Sequence, residues 1–260
     1  MKRILRLSVY ALLLAPLGLF ALYAFSQRWF FPAPLPEQWS AASFVRLLGN
    51  ARLRGALGQS LLLGSAVSLL SLVLGFPAAR TLGTRQFRGR EIFWFLFFLP
   101  TVLPPLAIGM GLNVLFLRLG LAGTLPGVVL AHLAPALPYT IFTLAGVFRR
   151  YDPNFEHQAR TLGLGEARIF WRVTLPLVLP GVLVAGLFAF LISWSQYLLT
   201  LLIGGGRVLT LPMLLFSAVS GGNPASIAAL ALIFVAPPVL VIALTARWLD
   251  EQGAAIQEQY

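Results

Sequence analysis

The chain has 260 residues, 58% of them hydrophobic and only 10% charged, with a mean hydropathy of +0.86. Soluble domains carry about 25% charged residues, so this composition excludes an ordinary soluble domain and indicates an integral membrane protein. The net charge of +11 is almost all arginine, and cysteine is absent, which removes disulfides, thiol catalysis and cysteine-based metal sites from consideration.

Uncharged windows cover 7–27, 55–79, 92–117, 119–148, 173–206 and 208–246. Each exceeds the roughly 18–20 apolar residues that cross a bilayer. They predict an all-α protein with six transmembrane helices, at about 7–27, 57–79, 93–115, 125–147, 177–203 and 225–247, in one domain over 1–260. The first run is longer than a signal-peptide core and lacks a clear cleavage site, so it reads as an uncleaved span. Residues 27–54 hold Trp29, Trp39 and several prolines, which suit an interfacial loop. ASFVRLLGNARLRGAL then reads either as a short amphipathic helix on the outer face or as a spacer. Pro100, Pro104 and Pro105 in span 3, and Pro135 and Pro138 in span 4, fit helices broken around a cavity, or simple packing kinks.

Arginine sets the orientation. With both termini in the cytoplasm, the inner segments hold 13 Lys and Arg and the outer segments 6, four of these in 28–54. A basic excess spread between spans reflects topology rather than a nucleic-acid surface.

One long charged segment, 151–176, interrupts the second half. Asp152-Pro153 is a helix start: Asp caps, and Pro is favoured in the first turn. Phe155, Ala159 and Leu162 fall at i, i+4 and i+7, one helical face. Gly163 stands where a glycine ends a helix. A second helical piece, EARIFWRVTL, leads to Pro176 at the mouth of span 5. Two readings fit this pattern: a basic amphipathic loop on anionic lipid, or a docking element for a cytoplasmic partner.

The residues of this segment resemble the conserved cytoplasmic loop of permease subunits of binding-protein-dependent ABC importers. That loop reads Glu-Ala-Ala, three residues, Gly, nine residues, Ile, one residue, Leu-Pro. Here Ala159 matches the second alanine, Gly163 the glycine, Val173 the isoleucine, and Leu175-Pro176 the closing pair. The sequence departs at His157 and Gln158, which stand where Glu and Ala are expected; Glu156 lies one position early.

The resemblance implies a type I (MetI-like) importer permease of the bacterial cytoplasmic membrane, with a coupling helix between spans 4 and 5. It implies that Phe155, Glu156, His157, Gln158, Ala159, Arg160, Leu162 and Gly163 dock on an ATP-hydrolysing subunit. Phe155 and Leu162 would supply buried contact there, and Ala159 close approach. Val173, Leu175 and Pro176 would form the junction to span 5. The implied partners are a second permease, identical or, in preference, related, two ATP-binding subunits and an extracytoplasmic solute-binding protein. The run SWSQYLLTLLIGGGRVLTLPMLLF resembles the polyamine, thiamine, iron and sulfate subgroup.

The chain itself is no ATPase. A P-loop requires a lysine after its glycines, and Lys2 is the only lysine. ATP and magnesium would be bound by the partner subunit, with no cofactor in this chain. Proton- or sodium-coupled transport is the alternative, but such carriers hold ionisable groups within their spans, and no carboxylate lies in the core of any span here. Metal and Ser-His-Asp sites lack parts. Polar span residues are the candidates for a solute path: Asn113, His132, Tyr139, Ser193, Gln196, Tyr197 and Thr200. Ser193, Gln196 and Thr200 follow i, i+3, i+7 and are expected to share one face of a continuous span 5.

Overall fold

Long apolar runs fold as helices because a bilayer offers no partner for a bare backbone N–H or C=O. The computed structural model describes residues 18–29, 33 and 35–257, with Tyr10, Leu12, Ala15 and Pro16. Residues 7–9, 11, 13, 14 and 17 of the first expected span, 7–27, and the basic residues Lys2, Arg3 and Arg6 therefore lie outside the described residues. The chain forms two compact units, one of Met1–Ser60 with Leu209–Leu240, the other of Leu61–Val208 with Val241–Tyr260.

In the first unit, helix α1 (18–24) is followed by strands β1 (Ser26–Arg28) and β2 (Gln38–Trp39), paired antiparallel with Ser26 opposite Trp39. The sequence gives no β signal here, and the expected interfacial loop is a small ladder. Helix α2 (Ala42–Gly49) stops at Asn50, whose side-chain oxygen accepts the Arg52 N–H at 2.8 Å and starts helix α3 (Ala51–Thr84). The expected amphipathic stretch is thus split, its second half being the first turns of α3. Ala24 packs with Ala228 and Ala229 from the start of helix α12 (Pro224–Gln257), flanked by Phe44 and Leu47 of α2. Gln59 and Ser60 of α3 accept the Leu209 and Leu211 N–H groups, at 2.8 and 2.9 Å, where helix α11 (Leu211–Ser220) begins.

The second unit is built around helix α6 (Leu125–Phe148), whose apolar window is 61% buried against 28% for the helical stretch Glu166–Trp194. Thr124 caps it, its hydroxyl accepting the Gly127 N–H. Near the far end of α6, α3 comes so close that a Cβ on Gly83 would stand 2.5 Å from Phe148 Cβ and 2.9 Å from the Ala145 carbonyl. Only glycine permits that approach. Ala79, Leu82, Ile141, Leu144, Phe148 and Val178 pack there as one apolar cluster.

The proline-rich spans divide between the two readings, span 3 broken and span 4 intact, and the expectation of a continuous span 5 is corrected. Span 3 is not one helix: α4 (Arg90–Val102) and α5 (Pro105–Arg118) meet at Leu103-Pro104 with a bend of 97°. Pro104 is extended (ψ 128), and the residue before a proline is biased away from helix. Span 4 carries its own two prolines without breaking, in a helix whose apolar window is more buried than that of any other span among the described residues. Span 5 is interrupted where no proline stands: α9 (Leu175–Trp194) ends and α10 (Leu198–Gly204) begins after three intervening residues. Among the described residues, four helices are long and apolar enough to cross a membrane, and a fifth crossing is reached if the bent pair counts as one.

Candidate functional site

The loop between α6 and α9 is organised by local chemistry first. Asp152 Oδ1 accepts the Asn154 N–H at 2.9 Å, and helix α7 (Asn154–Thr161) follows Pro153. It closes in a Schellman turn: the Leu164 N–H bonds to the Ala159 carbonyl and the Gly163 N–H to the Arg160 carbonyl. Gly163 has φ +81°, a conformation that costs other residues about 1–2 kcal/mol. A short helix α8 (Glu166–Ile169) runs through a π-helical turn (Phe170–Thr174) directly into α9. The expected second loop helix is therefore the root of span 5, and Val173, Leu175 and Pro176 lie inside one continuous helical rod.

Which face of α7 turns inward differs from the expectation. Glu156 and Ala159, at i and i+3, are buried at 6% and 7% exposure, whereas Phe155 is 49% and Leu162 79% exposed. Ala159 packs against this chain, so it is not part of an outward face with Phe155 and Leu162. The reason is Glu156, whose carboxylate must face the protein to meet its partners. His157, Gln158 and Arg160 are exposed. Arg160 pairs with Glu166 at 2.8 Å and stands 3.3 Å from His157 Nδ1.

Glu156 joins three chain segments. Its Oε2 accepts from Arg80 at 2.7 Å, near the end of α3; its Oε1 accepts from the Tyr151 hydroxyl at 2.9 Å and from the Thr174 hydroxyl at 2.8 Å. Phe76, Phe148 and Tyr151 form an aromatic file beneath it. Burial pushes the Glu156 carboxyl up, but the hydroxyls of Thr174 and Tyr151 and the charges of Arg80 and Arg160 outweigh it and hold the group below the usual carboxylate range. Burial likewise raises the Tyr151 phenol, and with Glu156 beside it the hydroxyl stays a proton donor. Arg80, Tyr151 and Thr174 were not singled out by sequence. Arg80 served there only to set orientation, and Thr174 is merely the polar residue in an apolar run.

A depressed carboxyl contributes stability above its unfolded value, near 4.5, and loses it as pH falls through the lower folded value. The loop anchor is thus expected to hold from neutral pH down to that point and to release below it. Hydrogen exchange of the 154–174 amides, corrected for intrinsic pH dependence, should show this step. Glu156→Gln should abolish it; a step that persists in that variant assigns it to another group.

The polar residues of the spans also separate. His132 of α6 is 1% exposed, with Nδ1 2.9 Å from Ser193 Oγ and Nε2 3.0 Å from Thr200 Oγ1; Ser193 and Thr200 are 3% and 0% exposed. The Asn113 amide donates to the Leu202 carbonyl. Gln196 and Tyr197 are half-buried, and Ser195 and Tyr139 are exposed. Ser193, Gln196 and Thr200 do not share one helical face, since the helix between them is interrupted.

A family model described as "Binding-protein-dependent transport system inner membrane component" matches residues 71–252. The chain is 29% identical over 229 residues to the putrescine transport system permease protein PotI of Escherichia coli, covering 85% of this chain and 81% of that protein. It is 32% identical over 219 residues to the molybdenum transport system permease protein ModB of Mycobacterium tuberculosis, covering 78% and 83%. A crystal structure of a bacterial ABC transporter that imports the acidic polysaccharide alginate superposes with a TM-score of 0.74 over 95% of this chain and 94% of that one, at 17% identity. That structure shares the fold. A second alginate transporter structure, in complex with an alginate-bound periplasmic protein, gives 0.62.

Proposed function

The chain belongs to the binding-protein-dependent transport system inner membrane components, and we propose that it is one of two permease subunits through which an ATP-driven importer moves a small polar solute by alternating access. The observation that carries the reading is the built loop: α7 is anchored inward by Glu156 and presents Phe155 and Leu162 outward, uncovered by this chain. Apolar side chains held outward on a charged loop fit the groove of a partner. An ATP-binding subunit is that partner, because this chain holds no P-loop lysine and the energy must come from elsewhere. Closure of two such subunits would push α7, and the continuous α8–α9 rod would carry the displacement into span 5.

Both termini lie in the cytoplasm in this reading, with the 28–54 segment, Arg118 and Arg207 outside, where a solute-binding protein would dock. The second permease is a related chain. The relatives named for a putrescine and a molybdenum system support testing polyamine-type cations and anions first, alongside thiamine and iron.

The test is reconstitution in proteoliposomes with the second permease and the ATP-binding subunit of the same transport system. ATP hydrolysis should rise severalfold when the solute-binding protein is added, and a protonophore should not change it. Hydrolysis that ignores the binding protein, or solute uptake by this chain driven by a proton gradient alone, would overturn the reading in favour of a coupled carrier.

A further inference from the structure

The interruption of span 5 has its own bracing. Between Trp194 and Leu198 the backbone leaves the helix. Irregular backbone inside an apolar span is tolerated only where protein buries it or a watery cavity receives it. His132 reaches both flanks of the interruption, Ser193 before it and Thr200 after it.

Proton counting fixes the direction of these bonds. The Thr200 hydroxyl donates its only proton to the Gln196 carbonyl, at 2.9 Å. Toward the ring it can therefore only accept, which places the imidazole proton on Nε2. Nδ1 is then the acceptor for the Ser193 hydroxyl. A chain of bonds thus runs from α6 through Thr200 onto the carbonyl of the turn itself. The far end of α10 is tied separately, by Asn113 on the Leu202 carbonyl and by the Gly123 N–H on the Ile203 carbonyl, at 2.7 Å.

We propose that His132 is a positioning residue that braces the turn Ser195–Tyr197, and that this turn is the water-facing, solute-contacting element of span 5. His132, Ser193 and Thr200 are fully engaged with one another and hold the turn without touching solute. Ser195 and Gln196, on the open side, face the path. The assignment of a solute path rests on the importer reading above.

Because the chain has no cysteine, the proposal is tested by single-cysteine labelling in membrane vesicles holding the full complex. The thiol of Ser195→Cys or Gln196→Cys should react with a membrane-impermeant methanethiosulfonate cation about tenfold or more faster than those of Phe188→Cys, on an exposed apolar face, and Leu199→Cys, which is buried. Adding His132→Leu should change the Ser195→Cys rate by about tenfold, the shift expected when roughly one net hydrogen bond is lost. His132→Gln, which can still donate and accept, should restore most of it.

Equal reactivity of Ser195→Cys and Phe188→Cys would overturn the turn as a path element. If His132→Leu and His132→Gln lower the yield of complex alike and leave the labelling rate unchanged, His132 only packs, and the brace is wrong. Loss of the importer reading shows differently: the labelling pattern persists while no ATP-binding subunit accompanies the chain.

Discussion

Replacing Phe155 and Leu162 together with aspartate is expected to strip the ATP-binding subunit from the solubilised complex while the permease remains folded and inserted. The two side chains are 49% and 79% exposed, so this chain loses little packing when they change. An apolar anchor removed from an interface costs about 2 kcal/mol or more, roughly 30-fold in affinity per side chain. Affinity capture through a tag on this chain, followed by size-exclusion chromatography, reads both association and folding. An ATP-binding subunit retained at full stoichiometry would remove α7 from the docking role. Ala159→Trp looks like the obvious disruptive variant from the motif, but it tests something else. Ala159 is buried against its own chain at 7% exposure, and an indole there overpacks the loop.

The second large effect is expected at Glu156. Glu156→Ala removes the acceptor for Arg80, Tyr151 and Thr174 at once. Arg80 is 40% exposed, so solvent screens the ion pair and its share is small. The hydroxyl bonds from Tyr151 and the buried Thr174 carry more, since bonds to a charged group are worth about 1.5–3 kcal/mol each. The outcome is a complex that still assembles, because Phe155 and Leu162 remain outward, but that loses the link from α7 to the root of span 5. Stimulation of ATP hydrolysis by the solute-binding protein should fall more than tenfold while basal hydrolysis persists. Thr174→Val should reproduce part of the loss and add little to Glu156→Ala, as expected for members of one network. Full additivity, or loss of assembly together with stimulation, would refute the link.

The anchor lies where the loop departs from its family pattern. His157 occupies the motif's glutamate position and is exposed, near Arg160. Glu156, one residue earlier, is turned about 100° around the helix and points inward. It acts as an anchor to this chain's own α3 and α9 root and is not on the outward face. The sequence spacing placed the helix and its glycine stop correctly, because the turn in which Asp152 accepts the Asn154 N–H and the left-handed turn at Gly163 are local events. It could not say which face was inward, since Phe155, Ala159 and Leu162 are the more apolar set and a polar anchor only makes sense once Arg80, Tyr151 and Thr174 are brought to it.

The same division runs through the spans. Hydropathy determined a multi-pass helical membrane protein, and the spacing of Ala159, Gly163 and Leu175-Pro176 pointed to its family, because each is written within a segment. Tertiary structure decided where the helices break. Pro135 and Pro138 sit in an unbroken α6, the more buried helix, while span 5 opens at Ser195 without a proline. There His132, 61 and 68 residues away along the chain, bonds the Ser193 and Thr200 side chains on either flank of the break. A helix break whose flanks are met by a distant side chain leaves no mark in the local sequence, whereas an apolar run or a glycine stop is written in the residues that form it.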